Sequence, residues 1–213
     1  MNLGIPQHRQ RLIMLSIFVG KDSNKLKIVD DYFESHNLED LRLEMIPLKR
    51  MLRIDYSNNQ LYQEAKLSQP NDTPSRTKIW DSNLKIVDEH GIMAHNSATI
   101  TTKQDRHPNS GNLYFSYQNN RKAHYRFLTP RECFLLMGFD ETDYEKVAYK
   151  KELSKKNSLF FSRDKMYKLA GNSIVVNVLQ QVFNSIIEID NLFSNAKSKI
   201  DFQKQFHDSR AHA

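Results

Sequence analysis

Leu169-Ala-Gly-Asn-Ser-Ile-Val-Val-Asn-Val-Leu-Gln-Gln-Val-Phe183, close to the C-terminus, is the stretch that decides the reading of the whole chain. Gly171 permits a tight approach, and Asn172 and Ser173 are capping residue types. Ile174, Val175, Val178, Leu179, Val182, Phe183 and Ile186 then follow at helical spacing. The pattern predicts a helix that begins here. Its first turn would carry free backbone N–H groups and polar side chains, a setting that suits a small ligand bearing a carboxylate or a ribose. Alone, so short a motif describes an ordinary capped amphipathic helix.

Two further stretches change that reading: Asn2-Leu-Gly-Ile-Pro-Gln-His-Arg-Gln-Arg-Leu-Ile-Met14 and Arg126-Phe-Leu-Thr-Pro-Arg-Glu-Cys-Phe-Leu-Leu-Met-Gly-Phe139. In this order, with Gly171-Asn172-Ser173 last, the three resemble the final conserved blocks of the DNA (cytosine-5) methyltransferases. Those blocks run Pro-Gln-x-Arg-x-Arg, then Arg-x-Leu-Thr-x-Arg-Glu ending in Gly-Phe, then Gly-Asn-Ser-Val. The drift is conservative, with Ile174 where the family often has Val. The blocks bracket nearly the whole chain, from Pro6 to Phe183.

The family's upstream blocks are missing: a Phe-x-Gly-x-Gly loop for S-adenosylmethionine, a Pro-Cys carrying the nucleophile and a Glu-Asn-Val carrying the catalytic acid. Cys133, the single cysteine, sits among Phe134, Leu135, Leu136 and Met137 and reads as a small core residue. The chain therefore resembles the C-terminal part of such an enzyme. Met1 lies just ahead of the first block, which fits a reading frame that begins between blocks.

Composition sets wider bounds. The 213 residues are 39% hydrophobic and carry a net charge of +6. With a mean hydropathy of −0.66 and a pI near 9.3, this describes a thin core and a preference for a polyanionic partner. No apolar run approaches the roughly 20 residues of a membrane helix, and no signal-peptide core opens the chain, so a cytoplasmic protein is expected. One cysteine excludes an internal disulfide framework, and the eight histidines lack ligand spacing, so no metal is implied.

Along the chain, Arg11 to Val19 is a short apolar run expected to form a strand, and a strand needs neighbours for its N–H and C=O groups. A helix is predicted from about Leu26 to His36. Met51 to Arg76 reads as polar and turn-rich. Lys78 to Val87 suits a strand or short helix, Ile92 to Thr102 a strand, Thr102 to Gly111 a loop with Gly111 as its flexible end, and Asn112 to Ser116 a strand. Residues 75–125 should thus form a small, irregular β-rich module. Thr129, Pro130 and Glu132 predict a capping box that starts a helix stopping near Gly138. Beyond Ser194 a polar tail should fray.

The resemblance implies an α/β fold: the terminal strand and C-terminal helix of a Rossmann-like methyltransferase catalytic domain, enclosing a small irregular β-rich target recognition domain. The implied divisions are a terminal strand and connector (1–50), the recognition domain (51–127), a returning hinge and helix (128–170), the C-terminal helix (171–193) and a flexible tail (194–213). Arg11 would hold O2 of the flipped cytosine, with Arg9 organising the pocket; Gln7 shares their face in an extended segment. Asn172, Ser173 and Ile174 would lie beside S-adenosyl-L-methionine, in a pocket shared with the missing half.

Double-stranded DNA would be read by Gln7, Thr99, Ile100, Lys103, Gln104, Arg106, His107 and Asn109, the loop residues among them having a solvated turn as the competing reading. Asn119, Arg121, Lys122 and Lys155 suit phosphates, while Arg126, Arg131 and Glu132 should be structural. The expected partner is a complementary N-terminal methyltransferase half, without which the chain is inactive, in a setting such as restriction-modification. The competing classes are a non-catalytic sequence-specific DNA-binding module and a remnant of a broken methyltransferase gene.

Overall fold

The computed structural model describes residues 3–36, 41–104, 110–116, 121–150, 153 and 161–211, with side chains as far as residue 196. The elements in chain order are α1 (Ser23–Ser35), a 3-10 turn (Leu48–Met51), α2 (Asn59–Leu67), α3 (Pro74–Ser82), β1 (Lys85–Val87), β2 (Asn112–Tyr114), β3 (Tyr125–Phe127), α4 (Pro130–Leu135), α5 (Glu141–Ala148), α6 (Arg163–Asn172) and α7 (Val176–Ala211). Several helices start where short polar side chains satisfy first-turn amides. Asp22 accepts from the Asn24 and Lys25 amides, Asn58 from Gln60 and Leu61, and Thr73 from Arg76 just before Pro74.

The chain divides into two compact units. One comprises Leu12–Leu43 and Val178–Ala213, and so holds α1 and most of α7. Within it the Tyr32 hydroxyl donates to Glu188 at 2.5 Å, and the Lys25 ammonium lies 5.3 Å over the Phe193 ring. The strand expected from Arg11 to Val19 does not form. Among the described residues it has no partner strand, and its side chains alternate between half-buried positions and Leu12, Met14 and Phe18, which are 98%, 87% and 93% exposed. Both alternating sets are apolar except Ser16, the pattern of a strand meant to be covered on two faces. Helix α7 runs past Ser194, where the composition predicts a fraying tail.

The second unit comprises Asn2–Arg11 and Glu44–Asn177. Its sheet has three short strands in the order β1-β2-β3, with β1 parallel to β2 and β2 antiparallel to β3. Trp80 of α3 stacks on Tyr125 at 5.5 Å and joins Ala123 and Phe127 in a core cluster. The module is less β-rich than its sequence suggests. Asn59–Leu67 is helical, Lys78 to Val87 splits between α3 and β1, and Ile92 to Thr102 forms only isolated bridges at Met93 and Ser97. Gly111 is not a flexible end: its φ is +108°, and a Cβ there would collide with Ile86 and the Leu84 carbonyl.

The α4 junction is built around a buried ion pair. Thr129 and Glu132 form the predicted capping box, and the Glu132 carboxylate also takes both arms of the Arg126 guanidinium, at 2.7 and 2.8 Å. Both side chains are fully buried. Backbone N–H groups of Thr129 and Arg53, each at 2.8 Å, complete the carboxylate's shell, and Tyr56 accepts from the Arg126 Nε at 3.0 Å. Arg131 joins three helices by bonding Glu64 of α2 and Glu141 and Glu145 of α5, with its guanidinium 4.5 Å over the Tyr144 ring.

Burial pushes the Glu132 carboxyl up, but Arg126 and the amide donors outweigh it and hold it below the usual carboxylate range. A group depressed in this way stabilises the fold above its unfolded pKa and loses that contribution as pH falls through its folded value. Glu132→Gln, which leaves Arg126 charged in the core, is expected to cost about 3–5 kcal/mol in chemical denaturation near neutral pH. The difference from the parent chain should shrink as the pH is lowered below the carboxylate range.

Candidate functional site

The three sequence blocks meet within the second unit, where Arg9 joins the first to the last and Gln7 joins the first to the second. The Arg9 Nη1 donates to the Ile100 carbonyl at 2.7 Å, and its Nη2 donates to the Gly171 and Ser173 carbonyls, each at 3.0 Å. One planar fork thus ties the first block to residues 97–102 and to the Gly-Asn-Ser block. Burial lowers the Arg9 pKa and the neighbouring Arg11 lowers it further. Its Nε is buried and has no hydrogen-bond partner among the described residues.

Gln7 makes the companion joint. Its Nε2 donates to the Leu136 carbonyl at 2.6 Å, and its Oε1 accepts from the Ile100 amide at 3.1 Å. Around it, the Ser97 amide donates to the Pro6 carbonyl at 2.9 Å, the His8 amide to the Ser97 carbonyl at 2.8 Å, and the Thr99 hydroxyl to the His8 carbonyl at 2.8 Å. From the other side, the Val176 amide donates to the Met137 carbonyl and the Asn177 side chain to the Leu3 carbonyl, each at 2.9 Å.

Gly171 and Asn172 close α6, and Ser173 is its C-cap; the next helix begins only at Val176. The predicted capping role is therefore corrected: the Gly-Asn-Ser block is a corner between two helices. Its glycine is required by approach, since a Cβ at Gly171 would overlap the Thr101–Thr102 peptide. On this corner Asn172 and Ile174 are exposed and Ser173 is half-buried.

Arg11 behaves differently from Arg9. It is exposed, and its Nη1 donates at 2.7 Å to the carbonyl of its own neighbour, Gln10. Lys103 is also exposed. Three residues expected to face DNA point inward instead. Both polar atoms of the Gln7 side chain are occupied, and Ile100 is fully buried with its amide and carbonyl engaged. Gln104 is fully buried and accepts from the Ser110 hydroxyl at 2.7 Å. Thr99 is half-buried and spends its hydroxyl on His8. Arg106, His107, Asn109, Asn119 and Lys155 lie outside the described residues.

Cys133 is buried, and burial pushes its thiol well above its ordinary pKa, as suits a packing residue. Sequence reading missed the partners that fix the site from a distance. Arg53, Tyr56 and Glu64 serve the Arg126 and Arg131 networks from 67 to 79 positions away, and no local pattern marks them.

The chain matches the C-5 cytosine-specific DNA methylase family over residues 1–188 and belongs to it. It is 26% identical to a type II methyltransferase, M2.ScrFI of Lactococcus lactis subsp. cremoris, over 88% of this chain and 43% of the relative. An orphan methyltransferase of Bacillus phage SPR, M.SPRI, is 33% identical over 54% of this chain and 22% of its own. The chain thus spans less than half the length of these curated relatives. A solved structure of the Schizosaccharomyces pombe (S. pombe) Dnmt2 methyltransferase aligns with a TM-score of 0.42 and 23% identity, over 75% of this chain and 47% of the other. Among the described residues no acidic, histidine or cysteine group is arranged to hold a metal, and no helix is long and apolar enough to cross a membrane.

Gly171→Ala should displace α6 from the Thr101–Thr102 peptide and break the Arg9 joint. The expected cost is about 1–3 kcal/mol by denaturant titration, larger than that of alanine at the neighbouring exposed Asn172.

Proposed function

We propose that this chain is the C-terminal part of a DNA (cytosine-5) methyltransferase, acting with a half that carries the Pro-Cys nucleophile and the Glu-Asn-Val acid. In this reading residues 11–19 become the terminal strand of a Rossmann-like catalytic sheet when the other half supplies the neighbouring strands, and residues 51–127 are the target recognition domain. The observation that carries it is the division of labour between two arginines: Arg9 is consumed in joining the blocks, and Arg11, two residues on, is left exposed.

Cytosine C5 inside a duplex is shielded by stacking, so the base must leave the helix and be held by its polar edge. Arg11 would donate its guanidinium to O2 of the flipped ring; that group stays charged and offers a planar fork. Arg9 fixes the extended segment on which Arg11 stands and is a positioning residue. Thr99 and Lys103, with Arg106, His107 and Asn109, would approach the base edges, while Gln104 holds the loop from below.

Asn172, Ser173 and Ile174 present two polar groups and one apolar side chain on the exposed α6–α7 corner, which suits the edge of a S-adenosyl-L-methionine pocket completed by the other half. The cofactor supplies the methyl group. The exposed Leu12, Met14 and Phe18 support a second chain, since a strand apolar on both faces needs cover.

Co-expression with the chain carrying Pro-Cys, followed by methyl transfer to duplex DNA, tests this. The pair should associate and methylate cytosine, and this chain alone should not. Arg11→Ala in the pair should lower kcat by about 10²–10³ without dissociating it. Methylation by the isolated chain, or failure of the halves to associate, would contradict the reading.

A further inference from the structure

A cleft in the second unit, built largely outside the three blocks, gathers three cations. It encloses about 400 Å³ and is lined by Arg76, Lys122 and Arg163 together with Ser68, Asn71 and Thr73 among others. No described lining residue is Asp or Glu; Asp72 lies between two lining residues in sequence, but its side chain is not among them. Concave walls that carry charge of one sign concentrate the potential, and a bound anion relieves the mutual repulsion.

The cleft is built by the fold. Its walls are the 67–73 segment and the edge leading into β3, held together by the Ala123 amide donating to Pro70 at 3.0 Å, the Phe127 amide to Ser68 at 3.0 Å and the Asp72 amide to Arg121 at 2.9 Å. Beneath them the Gln69 side chain donates to the Ala123 carbonyl at 2.6 Å. The cations are set in place as well. The Arg163 guanidinium donates to Ser68 and Tyr167, each at 2.7 Å, and the Arg76 guanidinium lies 5.4 Å over the Phe127 ring. Lys122 donates to the Gln69 carbonyl at 3.4 Å.

The geometry points to a phosphate-binding cleft that seats a backbone phosphodiester of the duplex, with Lys122 and Arg76 as its direct ligands and Arg163 as the fixed charge behind them. Hydroxyl and amide groups beside cations are the usual partners of phosphate oxygens. The volume exceeds what a phosphate alone needs and suits a phosphate carrying its sugars. The inference rests on the DNA-directed function proposed above and assigns to this cleft a positioning contact that carries no sequence information.

The test is the salt dependence of duplex binding by the 213-residue chain and its Arg76→Gln and Lys122→Gln variants, with folding checked by thermal melting. The slope of log K against log salt should become shallower by about one for each cation removed, equally for different duplex sequences. An independent arm keeps the protein unaltered: methylphosphonate placed singly along the duplex should weaken binding at one position, and Lys122→Gln should add nothing there. Unchanged slopes together with no sensitive phosphate would overturn the cleft and leave the DNA reading standing. Absence of any duplex binding by the parent chain would overturn both. Saturable binding of inorganic phosphate, lost in the variants while their duplex slopes are unaltered, would mark a site for a free anion and overturn the assignment to DNA.

Discussion

The arrangement depends on one guanidinium. Arg9 reaches three backbone carbonyls that lie 91 to 164 positions from it in the chain. No other residue type can do this from one place: the fork is planar, permanently charged and rich in donors. Backbone carbonyls at a helix corner have no intrahelical donor, so the same bonds that hold the first block also satisfy the end of α6. Burial costs Arg9 part of its hydration, and its three hydrogen bonds to two distant segments show what offsets that cost.

From that joint follows a separation of roles along five residues. Gln7 and Arg9 alternate with residues that face outward and are used up inside, whereas Arg11 emerges at the surface. Directly after it the chain becomes apolar on both sides without finding a sheet among the described residues. The Arg126–Glu132 pair performs a similar service at the other end of the unit. It is fully hydrogen-bonded, so it holds β3 and α4 in one geometry, which neither an apolar contact nor a surface ion pair would impose as sharply.

Much of this was legible in the sequence because it is local. Thr129, Pro130 and Glu132 announce α4 through capping chemistry that operates within four residues, and the α1 prediction differs from the observed helix by a turn or less. The short strands were harder. Ile92 to Thr102 has β-branched content, yet its hydrogen bonds are divided between Ile86 and Asp88 on one side and Pro6, Gln7, His8 and Ser110 on the other without forming a continuous ladder, and composition does not reveal these partners. Asn59–Leu67 was hidden by polar residues, since only Ala65 in it is buried. At the site, the family resemblance gives Arg11 to the cytosine and Arg9 to organising the pocket, a distinction that spacing alone does not make. Gln104 is hard to place for the same reason: a glutamine in a polar loop reads as exposed, and its burial against Ser110 has no local signal.

Native-state hydrogen exchange in Arg9→Lys tests the central role of that joint most directly, because lysine keeps the charge and loses the fork. Protection should fall together in residues 97–102, 134–138 and 169–177, with the Arg126–Glu132 region unaffected. A loss confined to the few residues around position 9, or none, would show that the three blocks hold together without the arginine and would contradict the account.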